Sequence, residues 1–269
     1  MNPQQLHARY GPSALVTGAS SGIGREIALQ LAEAGFDLVL VARREAVLRE
    51  LATELAARLT IDVQVLPIDL AHSAGVDELA VATTDLDIGL YVAAAGFGTS
   101  GPFLDSALEQ EREMLRLNCE AVLTMSLLFG QRLAARRRGG LILMSSIVGF
   151  QGTPNAAHYA ATKAYVQTLA EGLSVELRPL GVAVLAAAPG PTRSGFAARA
   201  DMRMGRALSP AVVARGTLSA LGRRPTVAPG LLSRVLKGSL APLPRRARVR
   251  IMGTVMAQMT EHQRVEPSP

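Results

Sequence analysis

Short apolar runs alternate with amphipathic stretches along most of this 269-residue chain. The apolar runs have the length and continuity of strands that are buried on both faces of a sheet. They cover residues 13–18, 37–42, 62–70, 88–96, 140–146 and 181–190. The stretches with helical spacing cover residues 25–35, 45–59, 107–136 and 156–178. This order of strands and helices, with right-handed crossovers, predicts an α/β fold built on a doubly wound parallel sheet.

The pattern predicts one domain over residues 10–228, followed by a C-terminal helical extension over residues 229–269. Two basic amphipathic stretches, 229–240 and 245–259, make up most of the extension. In the first of them, an apolar stripe lies opposite two cations, and it needs cover from water. The stripe consists of Leu231, Leu232, Val235 and Leu236, and the cations are Arg234 and Lys237. We expect the parent domain or a second subunit of a homo-oligomer to cover the stripe, with peripheral contact to an anionic membrane as the second alternative.

The net charge of +6 conceals an asymmetry between the two halves of the chain. Residues 1–120 hold 8 Arg and 17 Asp or Glu, a net charge of −9, whereas residues 121–269 hold 20 Lys or Arg and 5 acids, a net charge of +15. A solvated basic face accounts for this more simply than an anionic partner does. Nucleic acid is not an expected partner, because aromatic residues are only 4% of the chain and no nucleic-acid-binding motif is present.

Nothing in the sequence indicates secretion or membrane insertion. Cys119 is the only cysteine, so no intrachain disulfide can form. Residues 1–13 lack the apolar segment of a secretory signal, and no run of 18 apolar residues occurs. We therefore expect a cytoplasmic protein, and we assign no metal ligands.

A glycine-rich turn follows the first predicted strand and opens the first predicted helix, in the stretch LVTGASSGIGREIA. Glycines allow the backbone to approach a pyrophosphate, and the free N–H groups of the helix N-terminus favour an anion. This position predicts dinucleotide binding by Gly18, Ser20, Ser21, Gly22, Ile23 and Gly24.

The residues after the second predicted strand indicate which dinucleotide is bound. An acid at this point would hold the ribose 2′-hydroxyl of NAD, but Arg43 and Arg44 occupy it. Guanidinium groups suit the 2′-phosphate of NADP, so NADP is favoured over NAD, with two solvated arginines as the alternative interpretation. Asp69, after the third strand, is either a hydrogen-bond acceptor for the adenine amino group or an ordinary turn residue.

Tyr159 and Lys163 stand four residues apart, a spacing that makes them neighbours on a helix and usually marks an ordinary surface pair. The motifs around them favour a functional role for this pair. TGASSGIG (17–24), LN (117–118), SSIVG (145–149), YAATK (159–163) and PGPTRS (189–194) occur in this order. Over residues 13 to about 225, the chain resembles the short-chain dehydrogenase/reductase family of the TGxxxGxG, YxxxK type. The resemblance implies a single Rossmann domain with about seven parallel strands, and reversible hydride transfer between a nicotinamide and an alcohol or carbonyl.

The resemblance also assigns catalytic roles. Tyr159 is the proton donor and acceptor, and Lys163 favours its phenolate and binds the nicotinamide ribose. Ser146, rather than its neighbour Ser145, binds the substrate oxygen. Asn118 completes a proton relay through an ordered water. The resemblance adds to the predicted cofactor contacts Leu70, Ala95, Gly96, Tyr159, Lys163, Pro189, Gly190 and Thr192.

One position departs from the family pattern. The family commonly has NNAG at the fourth strand, where this chain has Ala93 to Gly96, so we expect a less firmly tied sheet there. The segment 191–209 is expected to be a lid over the substrate, with residues 96–105 as the opposite lip. By analogy, the substrate is a hydrophobic, lipid-like or steroid-like ketone or its alcohol. The alternative is an NADP-binding regulatory protein with little turnover.

Overall fold

A parallel sheet of seven strands forms the centre of this computed structural model, which describes residues 2–263. The strands are β1 Ser13–Thr17, β2 Asp37–Val41, β3 Val63–Leu66, β4 Ile88–Ala93, β5 Gly139–Met144, β6 Val182–Ala187 and β7 Thr226–Val227. Their order across the sheet is β3-β2-β1-β4-β5-β6-β7. The predicted doubly wound parallel sheet is therefore confirmed.

Helices cover both faces of this sheet and extend beyond it at the C-terminal end. They are α1 Pro3–Tyr10, α2 Gly22–Glu33, α3 Glu45–Ala56, α4 Ser73–Ala82, α5 Leu108–Leu115, α6 Ala121–Ala135, α7 Ala157–Glu176, α8 Phe196–Arg199, α9 Pro210–Ala220, α10 Leu231–Leu240 and α11 Arg245–Met259. The central strands β4 and β5 are buried along their whole length, because helices pack on both of their faces.

The order of the strands creates the crevice in which the site lies. Strand β1 pairs with β2 on one side and with β4 on the other, so the direction of the winding reverses between β1 and β4. In open α/β sheets, ligands bind outside the carboxyl ends of the strands at such a switch point.

Several predicted elements are shorter than their apolar patterns, and two of them have a clear physical reason. The strand predicted over 62–70 ends at Leu66, because Pro67 has no N–H to continue the ladder. The helix predicted over 107–136 is broken by a π-helical turn at Arg116–Glu120, which separates α5 from α6. Apolar periodicity does not reveal this turn, because the residues on both sides of it keep helical spacing.

The pattern did not predict α1. This helix begins with a capping box, in which the Asn2 side chain accepts from the Gln5 backbone N–H and the Gln5 side chain accepts from the Asn2 N–H. Leu6 and Tyr10 are the buried residues of this helix, and Tyr10 is 1% exposed. The signal was present as an Asn with a Gln three residues later and a proline at the first helical position.

The C-terminal extension contains two helices, α10 and α11, and its last six residues, 264–269, lie outside the described residues. The predicted apolar stripe on α10 is divided, since Leu231 and Val235 are exposed whereas Leu232 and Leu236 are half-buried. The fully buried residue of this helix is the polar Ser233. Within residues 2–263, no helix is long and apolar enough to cross a bilayer.

Candidate active site

A cleft of about 500 Å³ lies at the carboxyl ends of β1, β2 and β3. Twelve of the predicted cofactor contacts line it. They are Gly18, Ser20, Ser21, Gly22, Ile23, Gly24, Arg43, Arg44, Asp69, Leu70, Ala95 and Gly96. Sequence reasoning missed nine further lining residues with side chains, namely Val41, Ala42, Ile68, Ala94, Phe97, Leu117, Ser194, Phe196 and Arg199. The cleft therefore brings together segments that are widely separated in the chain.

The glycines of the first turn are required by the backbone. Gly18 and Gly22 have positive φ angles of 68° and 57°, which residues with a side chain rarely adopt. A Cβ at Gly18 would come within 2.8 Å of the Ala94 carbonyl oxygen, and one at Gly24 would collide with the Gly18 carbonyl oxygen. The turn thus opens α2 with its N–H groups unobstructed, as pyrophosphate binding requires.

Thr17 ties the sheet together at the position where the family asparagine is missing. Its Oγ1 accepts from the backbone N–H groups of Ala94 and Ala95, each at 3.0 Å, and donates to the carbonyl of Val92 at 3.3 Å. These bonds join β1 to the end of β4. Thr17 belongs to the TGxxxGxG motif itself, so the weaker tie expected from the missing asparagine stays a prediction.

The two arginines after β2 both reach the cleft, but they have different surroundings. Arg44 donates to the carbonyl oxygen of Ser20 at 3.2 Å and to its hydroxyl at 3.0 Å, so it lies against the glycine-rich turn. Arg43 lies 3.7 Å from the Asp69 carboxylate and 3.6 Å from that of Glu113. Asp69 also accepts from the N–H of Ala71. Both arginines are exposed at the edge of the cleft.

The predicted catalytic residues meet at the carboxyl ends of β4 and β5, beside this cleft. Tyr159 and Lys163 lie one turn apart on α7 and are buried, 8% and 6% exposed. The Lys163 Nζ donates to the carbonyl of Met144 at 2.9 Å and lies 5.9 Å from the centre of the Tyr159 ring. Ser146 begins the turn after β5, and its hydroxyl faces the Pro189 carbonyl at 3.5 Å.

Burial shifts the pKa values of Tyr159 and Lys163 toward their neutral forms. Loss of solvation raises the pKa of Tyr159 to about 12, although the hydrogen bond from Ser146 opposes this shift. Loss of solvation also lowers the pKa of Lys163 to about 8. Desolvation is the larger influence on the phenol pKa here, and the expected support of the phenolate by Lys163 stays a prediction. A neutral phenol at neutral pH is a group that can donate a proton.

The adjacent serines have distinct roles. Ser145 donates to the backbone carbonyl of Lys163 at 2.9 Å and so fixes α7 to the end of β5. Both serines line the pocket beside Tyr159, but the Ser146 hydroxyl donates only over a long 3.5 Å contact, to the Pro189 carbonyl. The hydroxyl of Ser146 is therefore the one available to a bound substrate oxygen.

Asn118 is fully buried within the π-helical turn. Its side-chain amide donates to the Phe97 carbonyl at 2.8 Å and to Thr162 Oγ1 at 3.1 Å, and it accepts from the Phe97 N–H at 3.2 Å. Asn118 therefore joins the segment after β4 to α7. Single π turns are common at functional sites, and this one aims the amide inward. The part of Asn118 in a proton relay stays a prediction.

A second pocket, of about 260 Å³, adjoins the cofactor cleft, with which it shares Ile23, Gly96 and Phe196. Tyr159, Lys163, Ser146, Pro189, Gly190 and Thr192 line it together with a largely apolar wall. Six methionines belong to this wall, namely Met144, Met202, Met204, Met252, Met256 and Met259. Methionine side chains are flexible and adapt to bulky apolar ligands.

The wall opposite the lid differs from the one we expected. Of residues 96–105, only Gly96 lines this pocket, and Phe103 and Leu104 are exposed. Helices α10 and α11 form the wall instead, through Leu236 and Met252 among others. The sequence signal was the spacing of the methionines in 245–259, which is equally typical of a helix face packed in the hydrophobic core.

Two polar contacts hold the C-terminal helices against the site. The buried hydroxyl of Ser233 on α10 accepts from the Gly190 N–H at 2.8 Å. After α11, the Gln263 side chain donates to Ser100 Oγ at 2.9 Å and to the backbone carbonyl of Asp201. The first contact fixes the backbone that follows β6, and the second joins the lid to the segment after β4.

Known proteins share much of this sequence and its fold. A family model described as short chain dehydrogenase matches residues 12–204. A very-long-chain 3-oxoacyl-CoA reductase of Ajellomyces capsulatus is 35% identical over 190 residues, which are 68% of this chain and 56% of the relative. The chain thus spans little more than half the length of that relative.

Solved structures cover a larger share of this chain. A structure of a 7β-hydroxysteroid dehydrogenase superposes with a TM-score of 0.84 at 26% identity, covering 92% of this chain and 98% of the other. A short-chain dehydrogenase of Sphingobium yanoikuyae in complex with NADPH superposes with a TM-score of 0.78 at 29% identity, covering 87% and 97%.

Proposed function

We propose that this chain, which belongs to the short-chain dehydrogenase/reductase family, uses NADP(H) to interconvert a bulky hydrophobic ketone and its alcohol. The observation that carries the proposal is the methionine-rich pocket that places Tyr159 and Ser146 beside the cofactor cleft. A lipid-like or steroid-like carbonyl compound is the substrate class that such a wall fits.

The residues of the cleft fit NADP, nicotinamide adenine dinucleotide phosphate. Gly18, Gly22 and Gly24 leave room for a pyrophosphate at the start of α2, and Arg43 and Arg44 offer charge-assisted hydrogen bonds to a 2′-phosphate. The superposed relative with NADPH supports this preference. The bound cofactor supplies or accepts the hydride.

The residues of the chain account for the movement of the proton. In the direction of reduction, the Ser146 hydroxyl donates to the substrate carbonyl oxygen and holds it beside Tyr159. The Tyr159 phenol, which burial keeps neutral, gives its proton to that oxygen as negative charge develops. Lys163 lies close enough to stabilise the phenolate that remains. The apolar wall excludes water and strengthens each of these interactions.

The relatives support the substrate class but do not fix it. Their names point to a long-chain 3-oxoacyl thioester and to a hydroxysteroid, both of them large apolar molecules with an oxygen function. For this chain, the proposal is limited to the shared chemistry of a secondary alcohol or ketone on a bulky apolar skeleton. A cytoplasmic location is part of the proposal, since NADPH is available there.

The test is a panel of ketones with NADPH or NADH, with cofactor oxidation followed by absorbance. We expect a steroid ketone or a long-chain 3-oxoacyl thioester to be reduced with a higher kcat/KM than a small ketone such as acetone, and NADPH to be preferred. Tight NADPH binding with no turnover of any ketone, and no oxidation of the matching alcohols, would favour the alternative of a regulatory NADP-binding protein.

A further inference from the structure

The apolar pocket reaches the surface between the two C-terminal helices. Leu236, Ser239 and Leu240 line it from α10, and Ile251 and Val255 line it from α11. Ser239, Ile251 and Val255 are at the same time exposed to solvent. A residue that both lines a pocket and is exposed marks the opening of that pocket. A substrate therefore has an entrance between α10 and α11.

An apolar rim continues outward from this opening. Leu231 and Val235 lie one turn apart on the outer side of α10 and are 69% and 55% exposed. Ile251 and Val255 on α11 are 42% and 41% exposed. Exposed apolar residues are common one at a time, but here Ile251 and Val255 line the pocket and Leu231 and Val235 add two more on the other helix of the extension, which marks an interaction surface.

The charge of this region is of one sign. Residues 229–260, which include α10 and α11, contain six Lys or Arg and no Asp or Glu. All six cations lie on these two helices, and Arg234, Arg245, Arg246 and Arg250 are exposed. Within the described part of the chain, none of the six lies within 4.0 Å of a carboxylate oxygen. The surface around the opening is thus apolar and positively charged.

A second copy of the chain is a poor occupant for this surface. A two-fold symmetric contact would set the same cation-rich face against itself, and like charges across an interface are unfavourable. An anionic bilayer offers both of the required properties, since its headgroups attract the cations and its hydrocarbon boundary accepts the apolar rim.

We propose that the outer face of α10 and α11 docks on an anionic membrane surface, so that the pocket opening faces the bilayer. The use of this docking, to admit an apolar ketone directly from the lipid, rests on the proposed function. The docking itself rests on the exposed rim, the charge and the position of the opening.

Sedimentation of the full-length protein with phosphatidylcholine vesicles, with and without phosphatidylserine, tests the proposal. We expect binding only when phosphatidylserine is present, and release as the salt concentration rises. Replacing Arg246 and Arg250 by Ser should lower the partition coefficient roughly 30-fold, the equivalent of about 2 kcal/mol at about 1 kcal/mol for each cation. The matched control is the same replacement of the exposed Arg223 and Arg224, in the turn before β7, which should change binding little.

The apolar rim is tested by a second pair of variants. Val235→Glu should abolish vesicle binding, whereas Val81→Glu, at an exposed valine of α4 on another surface, should leave it intact. Thermal unfolding of each variant checks that the fold is retained. Equal losses in Val81→Glu and Val235→Glu, or binding that is indifferent to phosphatidylserine, would overturn the proposal.

Sedimentation velocity on the same variants tests whether a second copy of the chain covers this surface instead of a membrane. If Val235→Glu changes the oligomeric state of the protein while the wild type ignores vesicles, the surface is a subunit interface and the proposal is wrong. No ketone or cofactor is present in these measurements. Failure of vesicle binding and failure of the reductase assay are therefore separate results.

Discussion

Thr17→Val is expected to loosen the junction between β1 and the end of β4. The substitution keeps the shape of the side chain and removes the acceptor for the N–H groups of Ala94 and Ala95 and the donor to the carbonyl of Val92. A buried donor left without a partner costs about 1–3 kcal/mol. The Ala94 N–H keeps the Val92 carbonyl as an acceptor at 3.1 Å, and both alanines are only partly buried, so part of this cost is recovered. We expect a loss of about 1–3 kcal/mol in all, which for a chain of this size lowers Tm by roughly 3–10 °C.

The chain provides a matched control for this substitution. Thr217 on α9 is also fully buried, but its hydroxyl has no hydrogen-bond partner among the described residues. Thr217→Val should therefore be neutral or stabilising, and Thr17→Ser should recover most of the stability that Thr17→Val loses. Calorimetric unfolding of the three variants gives the comparison. Equal effects of the two valine substitutions would refute the assignment of Thr17 as the tie between these strands.

Three further substitutions test other contacts. Arg43→Ala should weaken NADPH binding at least tenfold and leave NADH binding nearly unchanged, because the substitution removes a charge-assisted hydrogen bond to the 2′-phosphate. Equal losses of affinity for NADPH and NADH in fluorescence titrations would remove the argument for NADP. Burial lowers the pKa of Lys163 from 10.5 to about 8. Between these two pH values the lysine is protonated in the unfolded chain and largely neutral in the folded one, so the free energy of unfolding of the wild type rises with pH. The free energy of unfolding of wild type minus that of Lys163→Met should therefore increase from about pH 7 to about pH 10, and a flat difference in urea titrations would contradict the shift. Ser233→Ala leaves the Gly190 N–H without its acceptor and should raise KM for the ketone more than it lowers kcat, with Ser233→Thr as the conservative comparison; unchanged kinetics would show that the contact positions nothing.

Much of the fold followed from periodicity alone. The strands are apolar throughout, because both faces of a parallel sheet are covered, and this makes them easy to recognise. Their ends depend on single residues, as at Pro67, and are less well predicted. The π turn that aims Asn118 inward depends on packing against Phe97 and α7, and no spacing rule reveals it.

The candidate site also has a part that the sequence predicts and a part that it does not. The cofactor turn is local in sequence, and its glycines are required by backbone geometry that a sequence reveals directly. The substrate pocket is assembled from the lid, α10 and α11. Their proximity to Tyr159 depends on tertiary packing, which local sequence patterns do not reveal. Ser233 illustrates the limit, since a serine in an amphipathic helix is expected to face water, and here it is the most buried residue of α10.

The most direct test of the central claim is the turnover of Tyr159→Phe on a ketone that the wild-type protein reduces with NADPH. The substitution keeps the ring that packs 5.2 Å from the centre of the Phe196 ring and removes only the transferable proton. We predict that kcat falls by about two to four orders of magnitude, while the Kd for NADPH changes little, because the loss is one of general acid catalysis. Turnover by Tyr159→Phe within a few-fold of the wild-type rate, with the same ketone and cofactor, would contradict the account.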